Sequence, residues 1–455
     1  MDVLCVLRVL CGERSVNYFY QVTTSLPDRF SRLKALQRPG GNPPARIPPK
    51  DFVLEPVDDT PEPLRPPGAS AEELAYLLGA IPKRTRYGEH LSLRCWFPGP
   101  GEPAVDAAAL RLAAPGACAL AADPQQWLFL DTETTGLSGG TGTYAFLVGL
   151  AWWEGGGIEV EQLFMRDPGD EASLLLALAE RLAERRVLVT FNGKAFDWPL
   201  LETRYRMLRK LRPPAPLAHL DMLHPARNIW RLRLGSVRLQ ELEAQVLGQS
   251  RDADVASALI PGLYFNFVRG GPGAPLVPVF LHNQMDLRGL AALACHILAM
   301  LAEPEAGQEA LDLYGISRLC ERRGEMARAR HFYDRSLAGT LPAATERAAR
   351  QSLARLAKRD GDFTRACELW ESTLGNSREG LEAYEQLAIY YEHRAREPLR
   401  AAALVREALA ALRQACRLGT LASAVAGQFK ARLERRLERL EKSLRQHHMQ
   451  AVIPR

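Results

Sequence analysis

The chain has 455 residues, of which 47% are hydrophobic and 24% charged, and its formal net charge is +5. This length exceeds one ordinary core, so two or three globular domains are expected. No apolar run reaches the roughly 18 residues needed to span a bilayer, so no membrane partner is expected. The eight cysteines stand without a C-x-x-C pair, which favours reduced thiols in a cytoplasmic protein over zinc or a disulfide framework.

Residues 1–85 are predicted to form a proline-rich, flexible leader. The prolines are densest between residues 27 and 70, where few apolar residues fall in register. A short helix is expected near 71–80 and a pair of strands near 87–97. The apolar start is interrupted by Arg8 and lacks a small-residue cleavage site, so a signal peptide is not expected.

An apolar run at residues 127–130 ends in two acids, and the chemistry of the chain is expected there. The strand period of two places Asp131 and Glu133 on one face and Thr132 on the other. Carboxylates held this close repel each other unless a metal, a proton or a basic group relieves them. Their hard oxygen atoms favour Mg²⁺ or Mn²⁺. An isolated Asp-x-Glu, however, is more often a strand end that meets solvent.

Three further strands and a helix follow the acids. Strands are predicted at 146–153, 158–165 and 187–191, and an amphipathic helix at 171–186. Three strands followed by alternating helix and strand are typical of a ribonuclease-H-like α/β layer, a mixed sheet flanked by helices.

A third acid, Asp197, begins a predicted helix in the string Asn-x-x-x-Phe-Asp-x-Pro at residues 192–199. A plain helix N-cap is one interpretation, and Pro199 just inside the helix agrees with it. The other interpretation comes from the family resemblance described next, which implies that the carboxylate meets the Asp-x-Glu pair across a cleft.

These two strings resemble motifs of the DnaQ-like, or DEDD, exonuclease superfamily. DTETTGL at 131–137 is similar to its first motif, and the string at 192–199 is similar to its second. The resemblance implies that Asp197 is a metal ligand. It also implies substrate contacts from Thr132, Leu137, Asn192, Lys194 and Phe196.

The segment 204–238 carries nine basic residues against the single acid Asp221. The basic residues are Arg204, Arg206, Arg209, Lys210, Arg212, Arg227, Arg231, Arg233 and Arg238. A basic run is usually a solvated face, but a bias this strong beside an acidic cleft favours a track for backbone phosphates, with Arg204 and Arg227 as substrate-binding candidates. Trp198, Tyr205 and Trp230 could stack on bases, although core packing is expected for at least two of them.

A longer series of strings, at 219–227, 239–243, 260–265 and 282–287, resembles the YprB-type ribonuclease-H-like proteins in sequence and order. The resemblance covers roughly residues 86–300, so a catalytic domain is predicted at 86–303, with its core at 127–303. Asp286 takes the place of the fourth acid, on a helix that runs to about residue 301.

The residue four positions before Asp286 departs from the superfamily pattern. DEDD enzymes carry a Tyr four residues before the last acid or a His five residues before it, whereas His282 stands at the tyrosine spacing. His282 is therefore a candidate general base on the same helix face as Asp286. The alternative is that it only hydrogen-bonds a metal-ligand carboxylate.

The resemblance implies a metal-dependent 3′–5′ exonuclease. Its catalytic set would be Asp131, Glu133, Asp197, His282 and Asp286, of which the four acids would bind two divalent cations, Mg²⁺ or Mn²⁺. The substrate would be the single-stranded 3′ end of a DNA or an RNA. A non-catalytic scaffold that only binds nucleic acid is the alternative.

Three segments of the C-terminal part, 324–337, 361–374 and 396–409, align with one another. Their shared small residue, terminal Leu and spacing resemble tetratricopeptide helix pairs. Residues 311–450 are therefore predicted to be an all-α helical-repeat domain, separate from the catalytic layer, that recruits a protein partner.

Overall fold

The computed structural model describes residues 69–99, 101–136, 141–209, 211–212, 214–251, 254–303 and 308–452. Most of the predicted leader, as well as Leu137 and Lys210, lies outside the described residues.

Seven strands form one mixed sheet. They are β1 (Ile81–Thr85), β2 (Gly88–Pro98), β3 (Trp127–Thr134), β4 (Ala145–Glu154), β5 (Gly157–Phe164), β6 (Val187–Thr190) and β7 (Ala218–Asp221), in the spatial order β1-β2-β5-β4-β3-β6-β7. The pairs β1–β2, β2–β5, β5–β4 and β4–β3 are antiparallel. The pairs β3–β6 and β6–β7 are parallel. The predicted α/β layer is confirmed.

Eight helices accompany the sheet in the described part of the chain. They are α1 (Ala69–Leu78), α2 (Ala107–Ala113), α3 (Glu171–Glu184), α4 (Asp197–Leu208), α5 (Leu223–Leu234), α6 (Leu239–Gln245), α7 (Ile260–Val268) and α8 (Val277–Ala302). The long helix α8 packs across β3, β4 and β5. The first half of β3 is fully buried beneath it, which places the end of β3, with its acids, beside α8.

The segment Ala274–Ala302, which is α8 with the turn before it, has the length and the apolar composition that a helix needs to cross a bilayer. That is weak support for a membrane span, because the core helix of a soluble protein passes the same test. In the fold, Leu287, Leu290 and Leu293 of α8 are buried in the core.

The predicted leader, 1–85, ends too late. Residues 69–85 contain α1 and β1, and β1 pairs with β2 from Ile81↔Ser92 to Thr85↔Gly88. The sequence Ile-Pro-Lys-Arg-Thr of β1 shows no apolar alternation because the strand lies at the edge of the sheet, where charged side chains and proline prevent further pairing. The sheet therefore begins before residue 86.

The C-terminal part is all helical, as predicted. Its helices are α9 (Ala310–Arg322), α10 (Met326–Leu337), α11 (Ala343–Arg359), α12 (Phe363–Glu371), α13 (Arg378–His393), α14 (Pro398–Leu418) and α15 (Ser423–Val452). Consecutive helices pack in pairs, α9 with α10, α11 with α12 and α13 with α14, and α15 packs on α14. Their assignment to the tetratricopeptide class stays a prediction.

The first residue of each aligned segment lies at the turn within a helix pair. Gly324 and Gly361 have φ values of 81° and 84°, and Arg396 takes the same left-handed conformation at 58°. Glycine adopts this conformation without the clash that a Cβ introduces. Arg396, which has a Cβ, is therefore strained at the position that glycine occupies in the other two turns.

Helix α9 packs directly against α5 of the α/β layer. The fully buried carboxylate of Asp312 accepts hydrogen bonds from the guanidinium of Arg233 at 2.8 and 2.7 Å. Gly315 lies against the backbone of α5, where a Cβ would stand 2.7 Å from the carbonyl oxygen of Ile229. Independent folding of residues 311–450 stays a prediction, and this buried contact speaks against it.

Candidate metal centre

The four predicted acids converge at one end of the sheet. Asp131 and Glu133 lie at the end of β3, Asp197 is the first residue of α4, and Asp286 lies on α8. Burial raises the pKa of both β3 acids well above the ordinary values, and the negative charges of Asp286 and Asp197 raise each of them further. The site therefore concentrates negative charge in a poorly solvated space.

A buried polar ladder fixes the carboxylate of Asp131. The side-chain amide of Asn283 donates to Asp131 Oδ2 at 2.8 Å, and its own oxygen accepts from Gln162 Nε2 at 2.8 Å. Gln162 Oε1 in turn accepts from Gln284 Nε2 at 2.8 Å. Any Cβ at Gly149 on β4 would overlap the Asn283 side chain. The glycine therefore makes room for the amide that orients Asp131.

Asp197 is held from the opposite face of β3. Thr132 Oγ1 donates to Asp197 Oδ1 at 2.5 Å. The N-cap of α4 is Phe196, which makes no side-chain capping bond, so the N-cap interpretation of Asp197 is wrong. Burial raises the pKa of Asp197 to about 6, although hydrogen bonds from Thr132 and from its own backbone N–H act in the opposite direction. Thr132, predicted to contact substrate, positions an acid.

The imidazole of His282 faces the acids through Nε2. That atom lies 3.7 Å from Glu133 Oε1 and 3.4 Å from Asp286 Oδ2. The other ring nitrogen, Nδ1, lies 2.7 Å from Asp254 Oδ1. An ionised carboxylate at this position accepts an Nδ1–H hydrogen bond, which leaves Nε2 as the nitrogen that faces the acidic cleft. Asp286 is in the third turn of α8, and the i, i+4 relation to His282 is as predicted.

Three charged residues near the acids were missed in the sequence. Arg251 binds Glu243 through two hydrogen bonds of 2.6 Å, Asp254 at 3.1 Å and Asp286 Oδ1 at 2.5 Å. Burial raises the pKa of Glu243 even though Arg251 opposes the shift. Arg251 and Asp254 lie in a polar stretch without periodicity, so the sequence does not indicate that they belong to the site. Glu243 lies within residues 239–243, one of the strings that carry the family resemblance.

The residues at this site fit a divalent cation. Glu133, His282 and Asp286 each offer one ligand atom, and these atoms lie within 4.8 Å of one another. Carboxylate oxygens are the ligands that Mg²⁺ and Mn²⁺ prefer. A cation would stabilise the charged form of Asp131, which burial and the neighbouring acids disfavour. Among the described residues, Arg251 is the basic side chain that already binds one of the four acids.

The loop before α4 presents the predicted substrate residues. The Phe196 ring is 59% exposed and Lys194 is exposed. The backbone N–H groups of Asn192 and Lys194 donate to the two carboxylate oxygens of Asp221 at 2.8 and 3.1 Å. Asn192 has a φ of 69°, a conformation that asparagine tolerates better than most residues. Asp221 therefore fixes this loop beside Asp197.

Arg204 does not lie on a phosphate-accessible surface, contrary to its predicted role. The residue is 3% exposed. Its guanidinium pairs with Glu171 at 2.5 and 2.7 Å, donates to the carbonyl of Thr141 at 2.7 Å and stacks over the Tyr144 ring. A buried guanidinium with all these protein partners stabilises the fold and is not available to a phosphate. Tyr205 and Trp230 are fully buried, as expected for at least two of the three aromatic residues. Arg227 is exposed on α5.

The fold agrees with a comparison to a known protein family. Residues 128–298 match a family model described as RNase_H superfamily, so the chain contains a domain of that superfamily. An uncharacterized protein, YprB of Bacillus subtilis (strain 168), is 34% identical over 273 residues, which are 59% of this chain and 65% of that relative. The chain thus matches slightly less than two thirds of the relative's length.

A solved structure, the family B DNA polymerase from the hyperthermophilic archaeon Pyrobaculum calidifontis, is 14% identical to this chain. The match covers 47% of this chain and 29% of that polymerase, with a TM-score of 0.32. At that TM-score we draw nothing from it about fold or activity.

Proposed function

We propose that the protein is a metal-dependent 3′–5′ exonuclease that hydrolyses phosphodiester bonds of DNA or RNA. The observation that carries this proposal is the convergence of Asp131, Glu133, Asp197 and Asp286 beside a buried imidazole. The RNase H superfamily domain supports phosphodiester chemistry. The polarity, from the 3′ end, is supported by the sequence resemblance to the DEDD enzymes.

Glu133 and Asp286, with Asp131 and Asp197 beside them, would hold the divalent cations. When bound, such cations polarise a phosphoryl oxygen and lower the pKa of a water molecule. Asn283 and Thr132 hold two of the acids in place before substrate binds. Such preorganisation removes the need to reorient the carboxylates during the reaction.

His282 is the proton acceptor that this geometry favours. Its Nε2 faces the same space as Glu133 and Asp286, while Asp254 fixes its Nδ1. An imidazole held in one orientation by a carboxylate is a common arrangement for general bases. The same nitrogen could instead serve as a metal ligand, and kinetics separates these two roles.

The exposed loop next to Asp197 would position the end of the strand. Phe196 offers an aromatic face on which a terminal base could stack, and Lys194 adds a positive charge nearby. A stacked base needs no particular sequence, so we expect broad sequence tolerance. The exposed ring suits an unpaired end better than a duplex.

The Arg251–Asp286 ion pair favours one alternative, a scaffold that binds nucleic acid without cleaving it. In such a protein the arginine would take the place of the cation permanently. In an exonuclease, the guanidinium must share Asp286 with the metal or release it.

The test is an assay of the full chain on 5′-labelled single-stranded DNA and RNA with Mg²⁺, Mn²⁺ or EDTA. The proposal predicts a ladder that shortens from the 3′ end, needs metal and is absent with the Asp131→Asn variant. A circular single strand is the matched control and should remain intact. Cleavage of the circle would indicate an endonuclease, and binding without cleavage in either metal would favour the scaffold.

A further inference from the structure

An arginine cleft lies outside the acidic site, between α5 and α9. Two pairs of arginines with i, i+4 spacing line it, Arg227 and Arg231 on α5 and Arg318 and Arg322 on α9. The cleft has a volume of about 310 Å³, and Asn228, Leu232 and Gly235 complete its lining. No carboxylate is among the lining residues in the described part of the chain.

The two acids of α9 have partners outside this cleft. Asp312 is buried against Arg233, and Glu321 pairs with Arg355 at 2.5 Å and accepts from Tyr333 at 2.8 Å. Like charges at i, i+4 spacing on one helix repel each other. The lining of the cleft therefore combines four arginines with no carboxylate in the described part of the chain.

One guanidinium of the cleft, that of Arg322, is partly desolvated. Burial lowers the pKa of Arg322, and the neighbouring charges of Arg318 and Arg323 lower it further. Arg322 donates to Asn228 Oδ1 at 2.6 Å, which fixes one guanidinium against α5. Because arginine donors are planar and arranged as a fork, such groups suit bidentate contacts with phosphate.

Helix α5 connects this cleft with the acidic one. It begins at Leu223, two residues after Asp221, whose carboxylate holds the loop next to Asp197. With a rise of 1.5 Å per residue, Arg227 lies about 6 Å and Arg231 about 12 Å along the helix from its start. A strand whose end lies in the acidic cleft could therefore run along α5 into the arginine cleft.

We propose that the cleft between α5 and α9 binds backbone phosphates of the nucleic-acid strand upstream of its reacting end. The inference rests on the proposed function for the identity of the ligand, and it gives the helical region a direct part in substrate binding. The guanidinium groups of Arg318 and Arg322 would contact phosphates that the α/β layer cannot reach alone.

The test measures binding of a fluorescent single-stranded oligonucleotide of about 20 nucleotides to the full chain in EDTA, where no turnover occurs. The Arg318→Gln/Arg322→Gln variant should bind about tenfold more weakly at 0.1 M salt. Because each phosphate contact contributes about 0.7 to the slope of log K against log salt, the slope should fall by about 1.4. An Arg318→Lys/Arg322→Lys variant keeps the charges and should keep most of the slope.

The matched control is Arg413→Gln/Arg417→Gln, an exposed i, i+4 arginine pair on α14. It removes the same charge from the same helical region and should leave both affinity and slope nearly unchanged. Equal effects of the two double variants would overturn the inference, because binding would then reflect net charge alone. Failure of the wild-type chain to bind the oligonucleotide would overturn it as well.

The outcome is separate from that of the proposed function. Salt-dependent binding that needs Arg318 and Arg322, without cleavage in any metal, would support this inference and reject the exonuclease. Cleavage with unchanged KM in the Arg318→Gln/Arg322→Gln variant would support the exonuclease and reject this inference. Thermal unfolding of the variants checks that both exposed substitutions leave the fold intact.

Discussion

The acidic cleft at the end of β3 and the arginine cleft between α5 and α9 both gather like charges, but they tolerate the repulsion by different means. The acids are poorly solvated, and buried neutral donors such as Asn283 and Thr132 hold them in place. The arginines stand exposed on two helices, where water screens their charge. The acidic cleft holds its carboxylates in fixed positions, as a reaction requires. The arginine cleft attracts negative charge without holding all of its side chains in fixed positions.

The largest expected effect comes from removing one charge of the acidic cleft. Asp131→Asn should lower turnover by at least about 10³-fold, since cation binding and phosphate polarisation are worth several kcal/mol. In metal-free buffer the free energy of unfolding should not fall, because burial and neighbouring acids already disfavour the charged form of Asp131. Cleavage assays and chemical denaturation measure the two quantities. Turnover close to wild type would contradict the metal centre.

The second prediction asks whether His282 in the acidic cleft accepts a proton in the reaction or only supports metal binding. His282→Ala should lower turnover about a hundredfold if the imidazole accepts the proton. His393→Ala, an exposed histidine on α13, is the control and should have no effect. Recovery of turnover by excess Mn²⁺ would instead indicate that His282 supports metal binding. Asp254→Asn should give a smaller loss in the same direction, because it only orients the ring.

The third prediction concerns the ion pair beside the arginine cleft. Asp312→Asn should lower the free energy of unfolding by about 2 kcal/mol, less than for a fully buried pair because Arg233 is partly exposed. Asp334→Asn on α10 breaks an exposed pair and should cost less than about 0.5 kcal/mol. Denaturant melts of both variants give the comparison. Equal losses would show that α9 is held to α5 by packing alone.

The smallest effect is expected far from both clefts, at the third helix-pair turn. Arg396→Gly should raise the free energy of unfolding by about 0.5 to 1 kcal/mol, since glycine accepts the positive φ found there. Arg396→Ala keeps the Cβ and should leave stability unchanged. A gain from the alanine variant equal to that from glycine would show that loss of the arginine charge, and not backbone strain, is responsible.

The two clefts also differ in how far the sequence revealed them. The acids of β3, α4 and α8 were predicted because each stands in a motif whose neighbours fix its orientation. Arg251 and Asp254 come from an irregular segment, where no periodicity indicates which way a side chain points. Arg318 and Arg322 lie within the predicted helical repeats, and only the packing of α9 on α5 brings them into one cleft with Arg227 and Arg231.

The packing of α9 on α5 also has a consequence for synthesis of the chain. All residues of the acidic cleft have been translated once α8 is complete, but α5 still lacks the helix that covers Ile229 and neutralises Arg233. Domains fold as they emerge from the ribosome, N-terminal part first. The nascent α/β layer would therefore expose this face of α5 to chaperones and proteases until residues 310–322 have left the exit tunnel.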